Sequence, residues 1–239
     1  MLLRSITKHV KDQNWFAVVL DFMIVVVGIL IAFQITNWNE ARSFAEKERL
    51  IIARLTSDFK AQEEQLVERT TRGLRLYSET GELVALIKQG DAPTDRERVK
   101  QLILAAFSTS FEISPPASYQ ELVGTGGFSE LSSIPLRDAL VDYGQTNAKW
   151  RYVMGNSQAQ ISEHSLFRKA ITVDFATDSS QAIEDRVDPV SMDYDWDKLK
   201  MAEISVATIV QMHRSQHDRH RLDLQAVRQV LIALNETTQ

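Results

Sequence analysis

GILIAFQITNWNEAR, residues 28–42, is an apolar run that stops on a tryptophan held between two asparagines. Followed backwards, the run reaches Trp15 as WFAVVLDFMIVVVGILIAFQI, with Asp21 its single ionisable residue. On a helix rising about 1.5 Å per residue, Trp15 and Trp38 stand about 34 Å apart, close to the roughly 30 Å hydrocarbon thickness of a bilayer. An indole at a membrane interface buries its ring and keeps its N–H wet, so both tryptophans belong at boundaries, with Asn37, Asn39 and Glu40 among the headgroups. A core helix of a soluble protein would need its whole circumference hidden by a domain barely large enough to do so. A cleaved signal peptide has a shorter apolar core and small residues at its exit, whereas Phe33, Gln34 and Ile35 are bulky. The reading is therefore a basic leader at residues 1–14, a single transmembrane helix at residues 15–36, and an extracytoplasmic helical stalk and bundle at residues 37–239.

The rest of the composition is that of one ordinary domain. Of 239 residues, 44% are hydrophobic and 25% charged, a globular balance that argues against long disorder. The net charge of -5 leaves no basic footprint, so nucleic acid is excluded as a partner. Cysteine is absent, which removes disulfides, thiolate metal sites and thiol nucleophiles together.

Within the span, an acid at mid-bilayer costs on the order of 2.5 kcal/mol or more, so Asp21 is expected to face protein or water. Asp21, Gly28 and Ala32 share one face of the helical wheel, and Gly28-x-x-x-Ala32 is a small-xxx-small pair suited to a second helix. Homo-oligomerisation through the transmembrane helix and stalk is one expected partnership, and an unidentified membrane protein another. The alternative is that Asp21 is hydrated near an interface. Arg4, Lys8 and Lys11 before the span are matched by Arg42, Lys47 and Arg49 after it, but Glu40, Glu46 and Glu48 dilute only the second set. The N-terminus is placed in the cytoplasm. Leu3, Ile6 and Val10 give the leader the pattern of a short helix lying on anionic lipid.

Beyond the membrane no proline occurs before Pro93, so the helix is expected to continue as a coiled-coil-like stalk, its apolar positions running from Ala41 through Phe59 to Leu76 at three-and-four spacing. A second helical stretch is read near residues 74–89. A third opens with the capping box Thr94-Asp-Arg-Glu97 and runs to about Ser108, and a short one follows Ser118 and stops at Gly124. Residues 124–127, GTGG, lack the Gly-Lys-Ser/Thr tail of a phosphate loop and read as a turn. A long helix is expected from Pro135 to about Asp174, with Leu136, Leu140, Tyr143, Trp150, Met154 and Ile161 as its stripe. Residues 175–198 read as an irregular acidic connection. Asp193, Asp195 and Asp197 alternate like the start of a calcium loop, but Ile204 stands where the twelfth-position glutamate belongs. A final helix near 200–236 completes an all-α fold: an antiparallel bundle without strands.

That last helix carries HRSQHDRH, residues 213–220. Val206, Val210, His213, His217, His220, Leu224, Val227, Leu231 and Leu234 form one four-three alternation, so three imidazoles occupy core-facing positions. His164 on the preceding long helix completes a candidate metal set of His164, His213, His217 and His220, since imidazole suits zinc, copper, nickel or iron and bundles host such sites. Arg214 stands where His-Glu-x-x-His would need its glutamate, and Arg219 and Arg221 disfavour a cation. A satisfied polar layer and a pH-responsive cluster are the competing readings. No cofactor is called for. No serine elbow, Walker loop or dinucleotide fingerprint is present, so the chain is not expected to be an enzyme.

Residues 21–40, DFMIVVVGILIAFQITNWNE, resemble the signature of a family of uncharacterised bacterial membrane proteins, an acidic residue followed by GILIAxQxxNWNE. Asp21 stands where most members of that family carry glutamate. SYQELVGTGGFSELSSIPLRDALVDY, residues 118–143, is similar to the family's second signature: an aromatic, Leu, Gly, then Leu-Arg before a helix. The resemblance implies a bacterial inner (cytoplasmic) membrane protein, single-pass, with its C-terminal domain in the periplasm, and implies no activity. The expected function is a membrane-anchored interaction or scaffold protein. A periplasmic sensory or ligand-binding bundle is the alternative, because similar helical modules receive signals outside the membrane; against it, no cytoplasmic output domain is expected ahead of Trp15, so it would have to act with a membrane partner. A His-rich metal-binding protein is a third reading.

Overall fold

The computed structural model describes residues 15–108, 114–161, 165–175 and 189–237. The chain divides into two compact units, residues 1–51 and residues 52–239. Helix α1, Trp15–Gln89, supplies the whole described part of the first unit and the first element of the second. The fold is all-α, as the periodicity requires, with a small two-stranded sheet added.

In the first unit α1 is apolar and uncovered: Phe22, Ile24, Phe33 and Ile35 are 60–66% exposed. The helix is long and apolar enough to cross a membrane, and none of its most apolar 18-residue window is buried.

In the second unit α1 does not end near residue 73. Gly73 is a contact point: a Cβ there would lie 3.4 Å from the Cα and Cβ of His217. The separate stretch read at residues 74–89 is the continuation of α1, because a lone glycine costs a helix only about 1 kcal/mol and tertiary packing outweighs it. Helix α2, Arg96–Phe107, starts one residue later than expected, since Asp95 rather than Thr94 caps it, its carboxylate accepting from the Arg98 N–H at 2.9 Å. Helix α3, Ala117–Thr125, takes its cap from outside: the Ser118 N–H donates to the Asp58 carboxylate of α1 at 3.1 Å, and Arg54 pairs with Glu121. It closes on Gly126, whose φ of 70° is left-handed and favours glycine. A 3-10 turn, Gly127–Glu130, leads to helix α4, Ile134–Ile161, opened by the Ser133 hydroxyl.

Helix α4 stops well short of Asp174. A five-residue helix α5, Ser165–Lys169, follows, and then strand β1, Ile171–Phe175, pairs antiparallel with β2, Pro189–Tyr194, matching Ile171 to Tyr194 and Val173 to Met192. The strands displace both the expected helix end and part of the expected irregular connection. Period-two alternation explains them: Met192 and Tyr194 are buried while Ser191 and Asp193 face out. The three aspartates are not arranged as a cation loop. Asp193 pairs with Arg96 at 2.6 Å, Asp195 caps helix α6, Trp196–Met201, and Asp197 pairs with Lys200. Helix α7, Glu203–Thr237, then runs antiparallel to α1, since Thr80 meets His213, Thr70 meets His217 and Glu63 meets Arg228.

Apolar packing lies on either side of a polar middle. At one end Leu83 and Ile87 of α1 pack with Leu102 and Ile103 of α2, Phe167 of α5, the buried strand residues, and Val206 and Ile209 of α7. Towards the other end Leu55, Phe59, Leu136, Leu140, Val227 and Leu234 are buried. Phe59, Tyr119 and Tyr143 meet edge to face there, with ring centroids 5.0–6.5 Å apart. Gly144 admits Tyr119, because a Cβ at that position would overlap the phenol oxygen. The side chains of Trp150, Met154 and Ile161 lie outside the described part of the structure.

Candidate functional site

Between the apolar regions, α1, α4 and α7 bury Gln62, Thr80, Asn147, His213, Arg219, His220 and Asp223. Unpartnered, such groups would each cost kilocalories, so their bonding decides what the layer is. His213, 3% exposed, has both ring nitrogens engaged. Its Nε2 lies 3.0 Å from the Ser108 carbonyl, which can only accept, so this nitrogen carries the proton. Its Nδ1 then accepts from the Thr80 hydroxyl at 3.0 Å. Burial holds this imidazole below the usual histidine value, and the Ser108 and Leu76 carbonyls oppose the shift. His217 is half-buried and its Nδ1 donates to the Thr70 carbonyl at 3.1 Å.

His220 differs from both. It is 5% exposed, and its Nδ1 has no hydrogen-bond partner among the described residues. Burial pushes its pKa down to about 4, with Arg219, Arg69 and His217 acting in the same direction. One residue away, Arg219 Nε sits 3.4 Å from Asp223 Oδ2, an ion pair whose side chains are 6% and 10% exposed. On α4 the Tyr143 hydroxyl accepts from Gln62 Nε2 at 2.9 Å, and burial raises its pKa further than the Gln62 bond lowers it. The layer therefore stores two neutral imidazoles, one buried ion pair and a phenol that stays protonated.

The structure thus brings His213, His217 and His220 onto one side of α7. Among the described residues no three His, Asp or Glu side chains gather as a metal-binding set. His164 lies outside the described residues. Of the alternation read along α7, Val206, Leu224, Val227 and Leu234 are buried, while Val210 and Leu231 are half-buried and Ile209 and Val230 take the deeper places. Sequence reading missed Arg219, Asp223, Tyr143 and Gln62 as members of the layer. The available signal was the Arg-x-x-x-Asp spacing of Arg219 and Asp223, one turn apart on the flank of the histidine face.

In the first unit, Asp21, Gly28 and Ala32 are all exposed, and among the described residues nothing lies within 4 Å of a Cβ placed on Gly28. Trp38 is 66% exposed, and the Arg42 guanidinium lies 6.0 Å from its ring centroid. Trp15 opens α1.

Neither the comparison with curated proteins nor that with solved structures gives a match. The model of a family of unknown function (DUF6090) matches residues 21–177, a segment that contains both GILIAFQITNWNE and the stretch from Ser118 to Tyr143. That match covers more than half of the chain, and the chain belongs to the DUF6090 family.

Proposed function

We propose that the chain is a single-pass membrane protein of the bacterial inner membrane, N-terminus in the cytoplasm, whose periplasmic helical bundle is a non-enzymatic interaction or scaffold module. The observation that carries this reading is the uncovered apolar surface of α1 between Val18 and Ile35. Each large apolar side chain left in water forgoes about 1.5–3 kcal/mol, and more than a dozen of them together outweigh the roughly 5–15 kcal/mol net stability of a domain. Lipid removes that cost. The face of Asp21, Gly28 and Ala32, open along the helix, supports association with a second helix in the membrane, either another copy or a different protein. Crosslinking of the full chain in membranes tests this: a defined dimer or partner band that fades in Gly28→Leu is expected, and equal yields from both chains would refute helix association. The buried layer favours one second reading, a sensory or ligand-binding bundle, since a buried imidazole with a bare Nδ1 beside an ion pair is a poised group. A thermal-shift screen of metals and small metabolites separates the two, because a ligand of the native state raises its midpoint.

A further inference from the structure

Arg42 follows Trp38 by one helical turn and reaches back over the indole rather than outward. Glu46 stands one turn further on, yet Arg42 makes no ion pair with it or with any other carboxylate among the described residues. Helical side chains lean towards the N-terminus, and on the spanning reading above that direction is towards the bilayer. Measured from the middle of residues 15–36 at about 1.5 Å per residue, the Cα of Trp38 lies about 19 Å from the bilayer centre and that of Arg42 about 25 Å. The hydrocarbon ends at about 15 Å and the headgroup region at about 20–22 Å. Trp38 is then inside the headgroup layer. Arg42 is just beyond it, and only a side chain directed back along the helix returns its guanidinium to the phosphates.

We propose that Arg42 and Trp38 together form a binding site for the phosphodiester of an anionic glycerophospholipid in the leaflet where α1 leaves the bilayer. The guanidinium presents a planar fork of donors that matches two phosphate oxygens, and the indole beneath it fixes the fork and packs against the glycerol and upper acyl chain. A lysine lacks the fork, so charge alone does not reproduce the site.

The full chain, reconstituted in nanodiscs of equal phosphatidylglycerol and phosphatidylcholine and released in native mass spectrometry, tests the proposal. Wild type retains phosphatidylglycerol in preference to phosphatidylcholine. Arg42→Gln and Trp38→Leu are expected to lose at least half of the retained phosphatidylglycerol, Arg42→Lys an intermediate share, and Arg49→Gln none. Equal retention in wild type and Arg42→Gln overturns the site, and an equal loss in Arg49→Gln overturns it in favour of diffuse charge. Membrane retention of the Arg42→Gln chain, measured in parallel, keeps failure of this inference distinct from failure of the span.

Discussion

Lowering the pH should weaken the bundle through His220. Its pKa is about 4 in the folded chain against 6.5 for an ordinary histidine. The unfolded chain therefore binds the extra proton between those values, and the stability owed to the neutral imidazole is complete above pH 6.5 and lost as pH falls towards 4. At about 1.36 kcal/mol per unit, the full loss is roughly 3 kcal/mol, of which about 2 kcal/mol is gone by pH 5. His213 is shifted the same way and adds to the slope. Asp193 is held low by the Tyr194 N–H and Arg96, and Asp195 by Lys198, so their contributions disappear only below the ordinary aspartate range. Urea unfolding of the full chain in mild detergent, followed by far-UV circular dichroism at pH 8, 6.5 and 5, measures the slope. His220→Gln, which is polar and does not titrate, should lose about 2 kcal/mol less than wild type between pH 8 and pH 5. An identical loss in both chains would refute the burial argument for His220.

Three further substitutions probe the packing. Gly144→Ala should destabilise the bundle by about 1–3 kcal/mol despite the better helix propensity of alanine, because the new methyl displaces Tyr119, and Tyr119→Phe in the same chain should recover part of the loss. Arg219→Ala should destabilise the bundle by about 3 kcal/mol, because it removes the cation that faces the buried Asp223 carboxylate, while replacing both by apolar residues of similar volume should cost less than the single change; chemical unfolding compares the two. Gly73→Ala should be tolerated or stabilise by up to about 1 kcal/mol, since its Cβ reaches His217 only at van der Waals distance; a thermal midpoint well below wild type would show that the helices cannot accept it.

What could be read from the sequence divides by the length of the pattern. The span, the stalk and the last helix each carry many turns of apolar repeat, and α1 and α7 follow them closely. Leu55, Phe59, Leu66 and Leu76 of the stalk stripe are buried, and so is most of the α7 stripe. Short elements were lost. β1 and β2 have five and six residues, too few for alternation to stand out beside the acids of residues 193–197, and their pairing joins positions far apart in sequence. Caps misled for a related reason: the Asp58 carboxylate that caps α3 comes from 60 residues away. In the buried layer, the histidine face was visible as periodicity. That His213 is bonded on both nitrogens while His220 has a bare Nδ1 depends on Thr80 and Ser108, which only the fold brings to α7.

Alkaline carbonate washing of membranes that carry the full chain addresses the span most directly, since it strips peripheral proteins and leaves integral ones. The uncovered helix from Val18 to Ile35 predicts that the chain stays in the membrane pellet, and that it moves to the supernatant once Val25, Leu30 and Phe33 are replaced by aspartate. Release of the intact wild-type chain into the supernatant would contradict the account.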